Sequence, residues 1–267
     1  MPELPEVQTV LDGVVQVLGG KSITGLECYY PGTVIIDPLL DRDPFPARLI
    51  KAERRGKYMI LHLDSSACII IHLRMTGKLV YEPQPDEPHK HERARLLLAS
   101  DDALRFIDIR TFGKITLLDS CNLAKYLPAL GPEPLSQDFN LSYLQQAFKG
   151  RKAPVKNLLL DQGLVAGLGN IYVCELLFRS KIRPDRPGSS LSAKELREIV
   201  KYTKELLLEA LAVGGTSVSD YRQIDDKTGE FQHFLRVYQK RECPVGHKLQ
   251  NLKLAGRSSF FCPECQK

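Results

Sequence analysis

The six residues Met1-Pro2-Glu3-Leu4-Pro5-Glu6 hold the most reactive pairing in the chain. A small residue at position 2 permits an aminopeptidase to remove Met1, which would leave a proline secondary amine beside the Glu3 carboxylate. An α-amino group titrates near about 7.7–8.0, so a usable fraction is uncharged at neutral pH. Such an amine can attack an electrophilic carbon and hold it as a Schiff base. On these six residues alone the plainer reading is favoured, an ordinary N-terminus leading into a helix with Pro5 in its first turn. The remaining chain must decide between the two.

Metal-ligand spacing is the second signal. Cys262-Pro263-Glu264-Cys265 is a C-x-x-C knuckle, and Cys243-Pro244-Val245-Gly246-His247 lies upstream of it. Three thiolates and an imidazole suit a tetrahedral structural zinc closed to substrate, with Cys243, His247, Cys262 and Cys265 as its ligands. A solvated His247 beside an incomplete site is the plainer alternative. The other four cysteines, Cys28, Cys68, Cys121 and Cys174, are scattered in apolar surroundings. That usage fits a reducing compartment with one metal site better than a disulfide framework.

Three turns carry further candidates. Gly167-Leu168-Gly169-Asn170 joins two helical patterns, where glycines admit close backbone approach and the following helix N-terminus attracts an anion. With Arg151, Lys152 and Lys156 nearby in sequence, it suits a helical turn gripping DNA phosphates, although helix packing alone is the commoner reason for such glycines. His72-Leu73-Arg74-Met75-Thr76-Gly77 and Asp108-Ile109-Arg110-Thr111-Phe112-Gly113 each end a strand pattern. Met75 and Phe112 read separately as core side chains and Arg110 as a salt-bridge partner. Together they are one cation and two apolar wedges, able to fill the hole left when a nucleotide is extruded from a duplex.

The elements that must position these residues are legible in outline. Val7, Val10, Leu11, Val14 and Leu18 recur at helical spacing after Pro5 and stop at Gly19-Gly20. From Ile23 to Asp119 short strands with tight turns predict a β-sandwich or barrel. Beyond a Pro- and Gly-rich stretch the pattern turns helical: Asn140 caps one helix, Pro154 opens another, a third follows Asn170, and Ser192-x-x-Glu195 starts a fourth that closes at Gly214-Gly215. The predicted fold class is α+β, a β-sandwich with flanking helices followed by a helical domain and a zinc-finger hairpin. The predicted boundaries are 1–126 for the sandwich, 127–139 for a linker, 140–234 for the helical domain with a functional loop at 216–234, and 235–267 for the finger.

Charge follows the same division. Residues 1–150 carry 17 Lys and Arg against 19 Asp and Glu, whereas residues 151–267 carry 20 against 13. A basic second half suits a phosphate-backbone partner. No long apolar run and no charged-then-apolar leader is present, so a cytoplasmic protein without a membrane partner is expected.

The motifs PELPEV, HLRMTG, RTFG, LGPEPLS, LLDQGLVAGLGNIY and the terminal CPECQK, in this order from Pro2 to Lys267, resemble formamidopyrimidine-DNA glycosylase, the bacterial base-excision family for oxidised purines. The resemblance implies a β-sandwich, a helix–two-turn–helix domain and a zinc finger, with DNA in the cleft between domains. It assigns Pro2 as the nucleophile on C1′, Glu3 as the acid that helps open the sugar, Lys57 as an aid to β-elimination and Arg257 as an aid to δ-elimination. Met75, Arg110 and Phe112 would fill the gap, with Arg110 facing the orphaned cytosine. His72, His91, Arg151, Lys156 and Asn170 would hold the kinked backbone, and Glu6 would support the nucleophile. The segment 216–234 matches the family loop that closes over the flipped base. The implied partner is duplex DNA with oxidised bases or abasic sites, bound by a monomer at the bacterial nucleoid, and the implied cofactor is one structural zinc.

Three departures stand out. Gln8 replaces the glutamate usual in PELPEVET, Arg93 stands where a second histidine is common after His91, and the finger reads Cys243-Pro244-Val245-Gly246-His247 in place of C-P-x-C-G. A site completed by His247 and a weakly held metal are both open. An endonuclease VIII-like enzyme for oxidised pyrimidines and a non-catalytic binder of distorted duplexes are the competing readings. The complete Met75, Arg110 and Phe112 set weighs against the first, and intact Pro2, Glu3 and Lys57 against the second.

Overall fold

The computed structural model describes residues 1–217, 224 and 227–267. The chain divides into two units, Met1–Pro128 with Val213–Gln232, and Ala129–Ala212 with His233–Lys267. The first opens with helix α1 (Leu4–Leu18) and continues through β1 (Ser22–Cys28), β2 (Val34–Ile36), β3 (Ala47–Arg55), β4 (Tyr58–Leu63), β5 (Ala67–His72), β6 (Lys78–Glu82), β7 (Glu92–Leu98), β8 (Ala103–Ile107) and β9 (Lys114–Asp119) to the short α2 (Leu123–Tyr126).

These nine strands form one sheet in the order β2-β9-β5-β4-β3-β1-β7-β8-β6. Strand β3 is the corner, because its first residues pair with β1 and its remainder with β4. The two halves share a single core: Met59, Leu61, Ile69 and Ile71 from one half bury with Leu79, Leu96, Leu104 and Phe106 from the other. That is the sandwich expected from alternating strands. The stripe Val7, Val10, Leu11, Val14 and Leu18 joins the same cluster. Each such side chain contributes about 1.5–3 kcal/mol on burial, so the helix that begins beside Pro2 is firmly seated.

The second unit comprises α3 (Leu141–Phe148), α4 (Val155–Leu160), α5 (Asn170–Arg179) and α6 (Ala193–Ala212), with the hairpin β10 (Gln250–Leu254) and β11 (Arg257–Phe261). Its caps follow the sequence. Asn140 Oδ1 accepts the Tyr143 N–H at 3.0 Å, and Ser192 and Glu195 exchange the two bonds of a capping box at 2.8 and 3.3 Å.

Two boundaries differ from those read in the sequence. Residues 129–139 belong to the helical unit rather than to a free linker. Gly131 N–H donates to Gln162 O at 2.8 Å, Ser136 O accepts Lys204 Nζ at 2.9 Å, and Phe139 is fully buried. Residues 213–232 belong to the first unit rather than to the helical one. Glu6 and the strand residue Tyr81 bond to them, at Thr216 N and Ile224 O respectively. Much of the expected loop 216–234, at 218–223 and 225–226, lies outside the described residues. No helix among the described residues is long and apolar enough to cross a membrane.

Candidate functional site

Pro2, Glu3 and Glu6 are all buried, while Met1 is 39% exposed. Glu6 organises this start. Its Oε2 accepts the Glu3 N–H at 2.8 Å, and its Oε1 accepts the Thr216 N–H at 2.7 Å. One carboxylate thus ties the first turn of α1 to the foot of the 213–232 segment. Gly215 makes the approach feasible, since its φ of +79° favours glycine and a Cβ there would lie 2.7 Å from Glu6 Oε1. The two feet of the segment are also pinned to each other: Ser217 N–H donates to Gln232 Oε1 at 3.0 Å, Gly229 N–H to Ser217 Oγ at 2.9 Å and Phe231 N–H to Gly215 O at 2.9 Å. Gln8, one of the departures, accepts Arg54 Nε at 3.1 Å and donates to Asp12 at 2.8 Å.

Lys57 sits at the β3–β4 turn, 5% exposed, after Gly56 at φ +57°. His72 ends β5 and is pushed down to about 3, chiefly by burial and further by the charges of Arg74 and Lys57. Its Nδ1 accepts the Arg74 N–H at 2.9 Å, so the neutral ring carries its proton on Nε2. A neutral Nε2–H is a hydrogen-bond donor to an anion without adding charge to the cluster.

The two candidate wedge turns are joined by a residue whose role the sequence did not reveal. Asp108 is fully buried. Its Oδ1 accepts the Thr76 hydroxyl and, at 3.1 Å, the Arg110 N–H, while its Oδ2 accepts the Gly113 N–H at 2.7 Å. That carboxylate locks the Met75 turn to the Arg110–Phe112 turn. Above it Met75 is 40% and Phe112 50% exposed, and the Arg110 guanidinium lies 5.0 Å from the Phe112 ring centre. Neither apolar side chain is core, contrary to the plain expectation for each. Gly113 permits the packing, because a Cβ there would meet Phe106 Cζ at 2.3 Å. His91 and Arg93 flank this region: Arg93 Nε donates to Asp108 O at 2.7 Å, and its Nη2 lies 3.3 Å from His91 Nδ1. Burial and the Arg93, Lys90 and His89 charges hold His91 below its ordinary value.

In the second unit Arg151 is exposed after α3, and Asn170 opens α5. Lys156, grouped in the sequence with Arg151 and Lys152 as a cation for DNA phosphates, has a different setting from the exposed Arg151. It is fully buried on α4, with Nζ donating to Ser258 O at 2.8 Å and Ser259 Oγ at 2.6 Å. Its burial makes it a support for the hairpin. Asn170 Nδ2 donates to the same Ser258 carbonyl at 3.0 Å. Arg257 is exposed where β11 leaves a turn formed by Ala255 and Gly256, at φ +48° and +72°.

Glu175 on α5, which no sequence signal picked out, is buried and accepts the backbone N–H groups of Arg236, Val237 and Tyr238 at 2.8–2.9 Å. It fixes the chain where it runs into the finger. Cys243, His247, Cys262 and Cys265 converge, with one ligand atom from each within 4.8 Å of all the others. A tetrahedral ion with metal–sulfur bonds of about 2.3 Å needs ligand atoms about 3.7 Å apart, so the four can hold a metal ion. The Cys265 thiol is pushed up to about 12 by burial and by the Cys262 and Cys243 sulfurs, a crowding of anions that a bound cation relieves.

Comparison with known proteins accounts for both units. The family profile described as Formamidopyrimidine-DNA glycosylase N-terminal domain matches residues 1–115, and the one described as Formamidopyrimidine-DNA glycosylase H2TH domain matches residues 130–222. The formamidopyrimidine-DNA glycosylase of Roseobacter denitrificans is 38% identical over 291 aligned residues, and that of Novosphingobium aromaticivorans 39% over 280, each covering 100% of both chains. Wild-type Lactococcus lactis Fpg, solved with DNA containing N7-benzyl-Fapy-dG, superposes with a TM-score of 0.91 at 33% identity over 100% of both chains. The Lactococcus lactis Fpg complex with DNA containing an abasic site gives 0.90 at 33% over 99% of each. The MutM (Fpg) protein of Thermus thermophilus gives 0.88 at 36%, over 99% of this chain and 98% of that one. The chain belongs to the formamidopyrimidine-DNA glycosylase family.

Proposed function

We propose that this protein is a DNA glycosylase and abasic-site lyase that excises oxidised purines, 8-oxoguanine and formamidopyrimidines, from duplex DNA through a Schiff base on Pro2. The observation that carries this reading is the buried Pro2-Glu3 start, pinned through Glu6 to the segment at Thr216, in a chain that matches its relatives over its whole length.

Once Met1 is removed, the Pro2 amine attacks C1′ and the base departs, with Glu3 supplying the proton that opens the sugar. The resulting iminium draws electrons from C2′. Loss of the C2′ proton breaks the C3′–O bond and releases the 3′ phosphate, which Lys57 neutralises. Loss of the C4′ proton through the conjugated iminium then breaks the C5′–O bond, and Arg257 neutralises the departing 5′ phosphate. Met75, Arg110 and Phe112 occupy the vacated stack. His72, through its neutral Nε2–H, joins His91, Arg151 and Asn170 in holding phosphates. The protein acts as a monomer in the bacterial cytoplasm, and its finger carries one structural zinc on Cys243, His247, Cys262 and Cys265.

Borohydride trapping on a duplex carrying 8-oxoguanine opposite cytosine tests this. The Met1-processed protein is expected to give a covalent adduct that Pro2→Gly abolishes. No adduct from the processed wild type would overturn the reading, and a preference for thymine glycol opposite adenine would move the enzyme to oxidised pyrimidines.

A further inference from the structure

The residues that follow Arg257 on β11 are tied to helices α4 and α5. Ser258 O accepts two side chains at once, Lys156 Nζ at 2.8 Å and Asn170 Nδ2 at 3.0 Å. Ser259 is fully buried; its Oγ accepts Lys156 Nζ at 2.6 Å, and its N–H donates to Asn251 Oδ1 at 3.2 Å. Lys156 is itself fully buried, with Cys174 Sγ 3.6 Å from its Nζ.

An ammonium without water is costly unless its acceptors hold their places, so any drift of Ser258 or Ser259 is opposed by the whole desolvation cost of Lys156. A buried polar pairing of this kind seldom stabilises a fold more than well-packed apolar side chains would. What it does supply is a fixed position. Two residues before Ser259 stands Arg257, exposed, at the end of a two-residue turn. The backbone on its far side is therefore held by helices α4 and α5 independently of the metal cluster.

We propose that Ser259 is a positioning residue for the second strand-cleaving step, and that Lys156 and Asn170, acting on Ser259 Oγ and Ser258 O, set the bearing of the Arg257 guanidinium. This rests on the proposed function of Arg257. In that step the C4′ proton is lost, the C5′–O bond breaks, and the 5′ phosphate leaves with the electron pair toward Arg257. Ser259 touches none of the reacting atoms. Its displacement should leave Schiff-base formation and the first elimination intact and slow only the second.

The test uses the full-length, metal-loaded protein on a duplex with a preformed abasic site. Products ending in the unsaturated aldehyde, from β-elimination alone, are separated from those ending in a 3′ phosphate, from both eliminations. Ser259→Ala is expected to raise the β-only fraction about threefold or more, with the borohydride-trapped adduct within about twofold of wild type, and Ser259→Thr to restore the wild-type ratio. Lys156→Met is expected to shift the ratio the same way, and the Lys156→Met/Ser259→Ala double variant to go no further than either alone, as two changes in one network should. An unchanged ratio in Ser259→Ala, or a parallel fall of both products and of the trapped adduct, would overturn the proposal. Arg257→Ala is the control that separates the two layers: if it leaves the ratio unchanged, the assigned role of Arg257 falls, and with it the reason for Ser259 to matter.

Discussion

At the scale of single residues, burial holds a candidate site group in an unusual state. His72 illustrates the sign. Its ordinary value is 6.5 and its folded value is about 3, because the buried imidazole faces the charges of Arg74 and Lys57. Between those limits the unfolded chain binds a proton that the native chain refuses. The stability this residue contributes is therefore present above about pH 6.5, falls as the pH drops toward about 3, and declines no further below that. Up to roughly 5 kcal/mol is involved. Urea midpoints at about pH 7.5 and about pH 4.5 are expected to differ more for the wild type than for His72→Gln; equal differences would count against a neutral His72. Asp108 makes a second expectation. Its carboxylate serves donors from two turns, so Asp108→Ala strands the Gly113 N–H at about 1–3 kcal/mol and leaves the Arg110 N–H only the Thr76 hydroxyl at 3.2 Å. Weaker binding to duplexes with an abasic-site analogue is expected, measured against undamaged duplex, with the discrimination falling more than the non-specific affinity. A proportional loss of both would show that the turns carry no lesion preference.

At the scale of elements, α1 and the 213–232 segment act together. Glu6 is shared between the Glu3 and Thr216 N–H groups, and it can be shared only because Gly215 leaves room at φ +79°. Gly215→Ala adds a Cβ in a left-handed conformation and presses on Glu6, a cost of about 1–3 kcal/mol. Since the family resemblance assigns 216–234 to the loop that closes over the flipped base, base excision should suffer beyond the loss of stability. The specificity constant for 8-oxoguanine excision is expected to fall at least several-fold more than that for cleavage of a preformed abasic site, which presents no base. Equal falls on the two substrates would break the link between the segment and base recognition.

At the scale of the whole molecule, charge and metal matter most. The second half of the sequence carries 20 basic against 13 acidic residues, so duplex affinity should drop steeply with salt through counterion release. One zinc per chain is expected by elemental analysis. His247→Ala should lose it and weaken duplex binding, whereas His247→Cys should keep it, since a thiolate serves a tetrahedral site equally well. Retention of full zinc by His247→Ala would remove His247 from the ligand set. The finger's surroundings indicate why metal loss need not unfold the unit: Glu175 grips its beginning, Lys156 its hairpin, and Gln266 Nε2 donates to Ile182 O at 2.8 Å near its end.

The sequence by itself determined whatever is written in local pattern. The helix after Pro5, the alternating strands, the Asn140 and Ser192 caps, and the Cys243-to-Cys265 ligand spacing are all short-range consequences of periodicity and capping, and each appears where it was expected. Tertiary structure alone decided the rest, because the deciding partners are far apart in the chain. Glu6 meets Thr216 across 210 residues, Thr76 meets Asp108 across 32, and Lys156 meets Ser259 across 103. A buried carboxylate or ammonium takes whatever partner the packed fold delivers, and no pattern within a few residues encodes which one. For that reason Pro2 and Glu3 could be singled out from the local sequence, while Asp108, Glu175 and Ser259, whose partners lie far along the chain, could not.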